Sequence, residues 1–396
     1  MTTFLVCGAG LMSKALVYDL IKFSKPTKVI LLDIDQARLD SIDGAGVEKH
    51  RGDLADRSFF EPFVKEADIA AGSASYKLNK ALSECAIEHK THFIDLGGNN
   101  SVVDAQFAMS DKAAAAGVTI IPDCGLAPGM ASVLAADAIS QFDKVESLKI
   151  RVGGLPQNPK PPLNYAVFFS PEGLLNEYRE QTVVLRGGHL TKLHSLTEGE
   201  RLSFPPNFPE LEAYHTSGGA STLPFTFENK IGELDYKTIR YVGHFEKIKF
   251  LFDLGLADET KYDVEGARLS PDQMLRNVLY RHLPKNAPDV VLVYVEATGI
   301  RAGRRQTATY YIEDYLDKTT GHSAMQRTTA YSAAIVMQMI AEGSISKRGT
   351  LRSELGINHG RFIQHLGEAR RVPRARHGSA QRGRDMSAPP GCEAST

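Results

Sequence analysis

The chain has 396 residues, enough for two domains with separate cores, because single hydrophobic cores rarely grow beyond about 250–300 residues. Apolar residues make up 42% and charged residues 23%, and the net charge of −1 excludes the strong positive field that attracts nucleic acids or acidic membranes. Four scattered cysteines form no CxxC or His-containing cluster. We therefore predict neither a metal site nor a disulfide framework, and a reducing, cytoplasmic compartment.

The N-terminal part alternates short apolar runs with amphipathic segments of helical period. The runs that predict strands are TFLVCG, TKVILLDID, ADIAAGS, THFIDLGGN and GVTIIPDCG. Residues 1–6 show neither a basic n-region nor a long apolar h-region, and no later run reaches the roughly 20 apolar residues of a membrane span, so we expect neither secretion nor membrane insertion. The pattern predicts an α/β Rossmann domain over residues 1–125, with a doubly wound parallel sheet covered on both faces.

Strand-like runs then follow one another with fewer helices, which predicts a second α+β domain with a mixed sheet over residues 126–322. Its Pro-rich stretch GGLPQNPKPPLNY reads as a surface loop. A helical segment, residues 323–350, is expected to return to the first domain. The Arg-rich residues 366–396 lack apolar periodicity and predict a disordered tail.

A glycine turn near the N-terminus predicts a dinucleotide site. Gly8 and Gly10 follow an apolar strand and open a helix, and Ser13 stands where the G-x-G-x-x-G pattern has its third glycine. Gly8 allows the tight turn, Gly10 admits the pyrophosphate, and Ser13 is small enough for helix-on-strand packing. Leu11 and Met12 complete the turn.

Asp33 ends the second predicted strand, where an acid accepts hydrogen bonds from the adenosine ribose and repels a 2'-phosphate. This favours NAD over NADP. Arg38 lies close in sequence and leaves NADP open as the alternative.

Four longer stretches carry a resemblance. They are HFIDLGGNN, IPDCGLAPGMASVLAADAI, RVGGLPQNPKPPLNYAVFFSPEGLLNEY and TSGGASTLPFTFENKIGELDYKTIRYVGH. In this order they resemble the saccharopine dehydrogenase family, and within it the lysine 6-dehydrogenase branch. The resemblance implies NAD- or NADP-dependent oxidation of an amino acid at a carbon that bears an amine. For that branch, L-lysine is oxidised at its ε-carbon, giving the 6-semialdehyde and ammonia.

Two sister readings stay open. A saccharopine-forming or saccharopine-cleaving enzyme would act on a secondary amine with three carboxylates and should need more basic residues, for which Arg151, Arg179, Arg186 and Arg301 are available. A non-catalytic nicotinamide-binding regulator would use the same glycine turn. We expect a homodimer or homotetramer, an amino-acid substrate, and neither a nucleic-acid nor a membrane partner.

The matched stretches supply candidate site residues. In DYKTIRYVGH, strand alternation places Thr238 and Arg240 on one face, where a guanidinium fork suits the substrate carboxylate. Near the Pro-rich loop, further substrate contacts are expected from Asn164, Tyr165 and Glu172. Further cofactor contacts are expected from the turn after the third run and from DCGLAPG, namely Asn79, Gly125 and Leu126.

The oxidation also needs a group that takes a proton and one that activates water. Candidates are Asp95, Lys77, Asp123 and His215, and no spacing singles one out. Asp95 ends a strand and is expected to orient its neighbours, whereas a structural role is the simpler reading of His215 taken alone.

Overall fold

The computed structural model of the protein describes residues 2–169, 171–203, 208–285 and 287–368. Most of the predicted tail, from residue 369 onward, lies outside this range, while its first residues end a helix. Within the described ranges no helix is both long and apolar enough to cross a membrane.

The first 140 residues alternate strands and helices. They are β1 (Thr3–Cys7), α1 (Ser13–Ser24), β2 (Lys28–Asp33), α2 (Gln36–Asp40), β3 (Val47–Arg51), α3 (Arg57–Glu66), β4 (Ile69–Gly72), a 3-10 turn (Tyr76–Leu78), α4 (Asn79–His89), β5 (His92–Asp95), α5 (Asn100–Phe107), α6 (Ser110–Ala115), β6 (Thr119–Ile121) and α7 (Met130–Ser140).

The middle of the chain is richer in strands. Its elements are β7 (Lys144–Pro156), α8 (Pro171–Arg179), β8 (Gln181–Arg186), β9 (His189–His194), β10 (Glu200–Leu202), β11 (Leu211–His215), α9 (Leu223–Phe227), β12 (Glu233–Tyr241), α10 (His244–Asp253), β13 (Tyr262–Val264), β14 (Ala267–Leu269), α11 (Pro271–His282), β15 (Asp289–Arg301) and β16 (Arg304–Tyr315). The described chain then ends with α12 (Ala324–Ala341), β17 (Gly349–Thr350), α13 (Ser353–Gly356) and α14 (His359–Glu368).

The described residues form two compact units. The first comprises residues 1–140, 220–226 and 316–368, and the second comprises 141–219 and 227–315. In this division α7 belongs to the first unit, where most of its residues are buried and it packs against α12, α13 and α14. The predicted division at residue 125 lies before this helix.

A seven-stranded sheet forms the centre of the first unit, in the order β17-β6-β5-β4-β1-β2-β3 with every pairing parallel. Its central strands are buried on both faces, which explains their unbroken apolar runs. The predicted doubly wound α/β class is confirmed. Strands β3 and β17 were missed, because β3 (VEKHR) is a polar edge strand and β17 has two residues.

The second unit contains an eight-stranded mixed sheet along the path β10-β11-β12-β7-β15-β16, with β8 and β9 as a branch. Strands β12 and β7 pair in parallel, and the long strand β15 pairs antiparallel with both β7 and β16. The predicted mixed sheet is confirmed. Part of the expected Pro-rich loop belongs to it, since Gly153 and Gly154 lie inside β7, where a Cβ at Gly153 would collide with Ile239.

The helix expected to return to the first domain is α12, and it belongs to the first unit. Ser323 begins it with a capping box that includes Gln326. The Gln338 amide donates to Asp19 of α1 over 3.0 Å, which joins α12 to the helix that follows the glycine turn.

Candidate functional site

The glycine turn between β1 and α1 has the geometry that its sequence predicts. Gly8 has a φ of 113°, and a Cβ there would lie 2.7 Å from the backbone nitrogen of Ala74. The buried Ser13 hydroxyl donates to the Gly8 carbonyl over 2.6 Å and lies 2.8 Å from the Ser73 hydroxyl. Ser13 thus fixes the turn from inside, at the position of the third glycine.

The outer side of the turn remains open. A Cβ added at Gly10 would have one neighbour within 4 Å, the Ser73 carbonyl oxygen at 3.7 Å. Leu11 is exposed, and its carbonyl accepts from the Gln326 side chain of α12 over 2.7 Å. Met12 precedes the first turn of α1, whose N-H groups favour an anion. These residues fit a dinucleotide pyrophosphate.

Asp33 lies beside this turn at the carboxyl end of β2. Its carboxylate accepts hydrogen bonds from the backbone N-H of Ala9 over 2.6 Å and of Asp35 over 2.8 Å. Arg38 is exposed and forms an ion pair with Asp35 at 3.5 Å. An acid is therefore fixed where a ribose hydroxyl would bind in a Rossmann domain.

Two buried carboxyl groups lie at the ends of β5 and β6. Asp95 accepts from the backbone N-H of Gly97 and Asp123, over 2.8 and 3.1 Å, and from the Gln106 amide over 2.7 Å. Burial raises its pKa. With both oxygens engaged, Asp95 holds the ends of the two strands together.

The Asp123 carboxylate accepts fewer hydrogen bonds than that of Asp95. Asp123 accepts from the Ser221 hydroxyl, and no other hydrogen bond to it from the described residues is seen. Burial first, and then the charge of Asp95, raise the pKa of Asp123 to about 7. A buried carboxyl that titrates near neutral pH is suited to proton transfer.

The DCGLAPG loop continues from Asp123 and closes on itself. Gly125 and Gly129 pair through their backbones, and a Cβ at Gly129 would lie 2.2 Å from the Gly125 carbonyl oxygen. Leu126 is buried, and its carbonyl accepts from Ala131 in the first turn of α7 over 2.9 Å. These contacts fix the loop to the first turn of α7.

The remaining first-unit candidates, Lys77 and Asn79, differ in environment. Lys77 is exposed, with its Nζ 5.8 Å from the centroid of the Tyr76 ring. Asn79 is buried at the start of α4, and its Oδ1 has no hydrogen-bond partner among the described residues.

Glu61, Cys85 and His89 also lie close together in this unit, in an arrangement that could hold a metal ion. Glu61 is already bound by both Arg57 and His89, as in an ordinary ion-pair network on a helix surface.

In the second unit, Arg240 is the centre of a directed hydrogen-bond chain. Its Nε donates to the Tyr178 hydroxyl oxygen over 3.0 Å, and that hydroxyl lies 3.0 Å from His244 Nε2. His244 Nδ1 donates to the Leu163 carbonyl over 2.9 Å. A carbonyl can only accept, so Nδ1 carries the proton; burial lowers the His244 pKa to about 3, which leaves Nε2 to accept from Tyr178.

Aromatic rings surround the guanidinium. Its carbon lies 5.0 Å from the Tyr165 ring centroid and 6.0 Å from that of Tyr178. Nη1 donates to the Ile239 carbonyl over 2.9 Å, while Nη2 lies 3.8 Å from the carboxylate of Glu177. Arg240 is thus held rigidly with one nitrogen left for a further acceptor.

Hydroxyl groups extend the same face of β12. Thr238 Oγ1 lies 2.7 Å from Thr216 Oγ1 and 3.4 Å from the Tyr236 hydroxyl. Burial first, and then the charge of Glu177, raise the Tyr236 pKa. The predicted side-by-side placement of Thr238 and Arg240 agrees with these contacts.

The opposite face of β12 carries a separate buried charge network. Arg151 pairs with Asp235 at 2.8 Å and with Glu200, and Lys237 lies 3.8 Å from Glu200. His215 belongs to this network, because its Nδ1 lies 3.1 Å from the Tyr236 carbonyl and its Nε2 3.0 Å from Glu198. Both ring nitrogens are engaged, as the structural reading of His215 expects.

Two other predicted substrate residues lack a bond to Arg240. Glu172 forms an ion pair with Arg276 at 3.5 Å. Asn164 has a φ of 51° and precedes Tyr165 in the turn that follows the Pro-rich loop. Of the arginines considered for extra carboxylates, Arg151, Arg179 and Arg186 are already paired with acids.

The sequence had not singled out Glu177 or Tyr178. Both lie on α8, more than 60 residues before Arg240. The only available signal was the acid-aromatic pair itself, at the polar end of an amphipathic segment, and such pairs are common on helices.

Comparison with known proteins adds the family. Residues 4–121 match the model of the saccharopine dehydrogenase NADP binding domain, and residues 125–369 match that of the saccharopine dehydrogenase C-terminal domain. Saccharopine dehydrogenase [NADP(+), L-glutamate-forming] of Pyricularia oryzae is 24% identical over 220 residues, which cover 52% of this chain and 47% of that protein. Alpha-aminoadipic semialdehyde synthase of Arabidopsis thaliana is 25% identical over 255 residues, covering 61% and 24%.

The chain thus spans about half or less of these two relatives. Carboxyaminopropylagmatine dehydrogenase of Synechocystis is 22% identical over 93% of this chain and 96% of that protein. Among solved structures, apo saccharopine dehydrogenase (L-Glu forming) from Saccharomyces cerevisiae superposes with a TM-score of 0.80 at 17% identity, covering 96% of this chain and 100% of that one. This structural likeness concerns the fold.

Proposed function

Because the chain belongs to the saccharopine dehydrogenase family, as its sequence resemblance predicted, we propose that it oxidises an amino acid at an amine-bearing carbon with a nicotinamide dinucleotide. The proposed substrate is L-lysine, oxidised at the ε-carbon to the 6-semialdehyde and ammonia. The observation that carries the proposal is the Arg240 guanidinium, whose Nε and Nη1 are hydrogen-bonded while Nη2 donates no hydrogen bond to the described residues, since the N-H groups of a guanidinium bind carboxylates.

The proposed cofactor is NAD. When bound, it supplies the hydride acceptor. The glycine turn and the first turn of α1 would hold the pyrophosphate, and the fixed carboxylate of Asp33 would accept from the ribose and disfavour a 2'-phosphate. The matched family model and the Pyricularia relative carry NADP in their names, so NADP is the alternative that the assay must include.

Asp123 is the proposed proton acceptor. As the substrate C-N bond becomes an imine, an amine proton must be taken up, and water must then be activated against the imine. Asp123 combines burial, unused acceptor capacity and a pKa of about 7, whereas Asp95 is fully hydrogen-bonded and orients the Asp123 backbone. Ser221 would hold the Asp123 carboxylate in one rotamer.

A second candidate is oxidation of a secondary amine such as saccharopine. It is favoured by the names of the Pyricularia and Arabidopsis relatives, which match 52% and 61% of this chain, and by the Synechocystis protein, which matches nearly end to end. Against it stands the pairing of Arg151, Arg179 and Arg186 with acids, because saccharopine has three carboxylates to bind.

The test is NAD(P)H formation by purified protein with L-lysine or saccharopine, each offered NAD and NADP, together with assays for ammonia and 2-oxoglutarate. NADH and ammonia from lysine support the proposal. Reduced cofactor from saccharopine alone would move the function to the second candidate. The variant Arg240→Ala should abolish either activity, whereas Arg304→Ala, at the exposed start of β16, should not.

A further inference from the structure

In the second unit, the oppositely charged side chains of Arg240 and Glu177 lie next to each other. Arg240 Nη2 and Glu177 Oε2 are 3.8 Å apart, too far for a hydrogen bond. The Glu177 carboxylate accepts no hydrogen bond from the described residues, and 31% of its side chain is exposed. A buried guanidinium thus forms a long ion pair with a partly exposed acid, without a hydrogen bond between them.

Protein atoms surround most of the Glu177 side chain. Although part of its side chain is exposed, nearby protein atoms desolvate the carboxyl enough to raise its pKa to about 7, against the lowering effect of Arg240. Burial raises the pKa of Tyr165 and of Tyr236, and the charge of Glu177 adds to both shifts. A carboxyl group that is largely surrounded by protein but still reached by solvent can bind a small ligand.

A zwitterion matches this pair. In an α-amino acid the carboxylate and the ammonium are attached to one carbon, so they bind to an adjacent cation and anion at the same time. The Thr238 and Tyr236 hydroxyls on the same face of β12 can accept or donate further hydrogen bonds to either group.

We propose that Glu177 is a specificity residue that binds the α-ammonium group of the substrate, while Arg240 binds its α-carboxylate. The inference rests on the proposed amino-acid dehydrogenase function for the carboxylate at Arg240. It deepens that function, because a substrate held by both α groups presents its distal amine for oxidation. The substrate class is then an L-α-amino acid with an intact α-amine and a second nitrogen on its side chain.

The competing reading makes Glu177 a counter-ion that only steadies Arg240. The two readings differ in one observable. A counter-ion affects every carboxylate ligand alike, whereas an ammonium-binding residue affects only ligands that have an α-amine.

The experiment compares L-lysine with 6-aminohexanoate, which lacks only the α-amine, in the wild-type protein, Glu177→Gln and the control Glu246→Gln on the exposed surface of α10. Dissociation constants are measured by calorimetry in the presence of NAD, and KM and kcat wherever turnover occurs. Loss of a charged hydrogen bond corresponds to about 10- to 100-fold in affinity.

The proposal predicts that the wild-type protein binds lysine about 10- to 100-fold more tightly than 6-aminohexanoate. Glu177→Gln should remove most of this difference by weakening lysine binding, with 6-aminohexanoate changed by less than about threefold, and Glu246→Gln should change neither. Equal weakening of both ligands by Glu177→Gln overturns the proposal, as does a wild-type protein that binds neither lysine nor saccharopine.

Calorimetry separates this result from the fate of the proposed function. Lysine binding that depends on Glu177 but is not followed by NADH formation would retain the zwitterion site and reject the activity. Turnover of lysine that Glu177→Gln leaves unchanged would retain the proposed activity and reject the zwitterion site.

Discussion

The hydroxyl of Tyr178 lies 3.0 Å from His244 Nε2 and accepts from Arg240 Nε over the same distance. The direction of this chain is fixed at its far end, where His244 donates to a backbone carbonyl. The Tyr178 hydroxyl therefore donates a hydrogen bond to the imidazole and accepts one from the guanidinium. An arginine that is positioned in this way loses little further freedom when a carboxylate binds.

Removing this hydroxyl should weaken substrate binding. We expect Tyr178→Phe to raise KM for the amino acid by about 10-fold with a smaller change in kcat, because Arg240 loses the acceptor that orients it. The free energy of unfolding should fall by about 1–2 kcal/mol, since His244 also loses its donor. Steady-state kinetics and urea unfolding measure both. Tyr262→Phe, at an exposed hydroxyl, is the control, and an unchanged KM in Tyr178→Phe would show that the chain does not position Arg240.

Replacing the guanidinium with an ammonium should be costly even though the charge is kept. Arg240→Lys loses the fork that binds two carboxylate oxygens, and we expect kcat/KM to fall by about 100-fold, mainly through KM. Arg304→Lys is the matched control at an exposed position. A loss confined to kcat would contradict a carboxylate-binding role, because uniform binding acts on KM.

Asp123 should give a stability signature that depends on pH. Its pKa rises from 3.8 to about 7 on folding, so the folded protein binds this proton more tightly and the free energy of unfolding decreases as the pH rises from about 4 to 7. Asparagine carries no such charge and tolerates the positive φ of this position, 62°. Asp123→Asn should therefore be more stable than the wild type at pH 8, on the order of 2 kcal/mol, with little gain at pH 4.

The same variant tests the catalytic role. If Asp123 accepts the proton, Asp123→Asn should lose at least about 100-fold in kcat while still binding NAD and substrate. In the wild type, kcat should rise with pH through about 7. His244, whose pKa lies near 3, should contribute nothing to the profile between pH 5 and 9. The exposed Asp111→Asn serves as control, and a kcat retained by Asp123→Asn would assign the proton to another group.

The sequence predicted local features better than distant ones. The turn from Gly8 to Ser13 and the acid at Asp33 are defined by spacing within one strand-turn-helix unit, and the structure has them as expected. By contrast, Glu177 and Tyr178 of α8 contact Arg240 although they precede it by more than 60 residues. The periodicity of a sequence does not predict contacts between such distant residues. His215 was a candidate in the sequence, and the pairing of β11 with β12 places its ring beside the Tyr236 carbonyl, in the charge network of Arg151.

The proposed preference for NAD rests on the Asp33 carboxylate. Asp33→Asn keeps an acceptor for the Ala9 N-H but removes the charge that would repel a 2'-phosphate. We expect the ratio of kcat/KM for NAD to that for NADP to fall by at least about 10-fold. Asp43→Asn, on the exposed loop before β3, should leave the ratio unchanged. A wild-type protein that prefers NADP would contradict the role of Asp33 and assign Arg38 to the phosphate.

The most direct test of the account is cofactor reduction by the purified protein with L-lysine and NAD, followed at 340 nm with ammonia measured in the same reaction. The account predicts equal amounts of NADH and ammonia, lost in Arg240→Ala and retained in Arg304→Ala. Reduction that occurs only with saccharopine, or no reduction by a protein that binds both NAD and lysine, would contradict it.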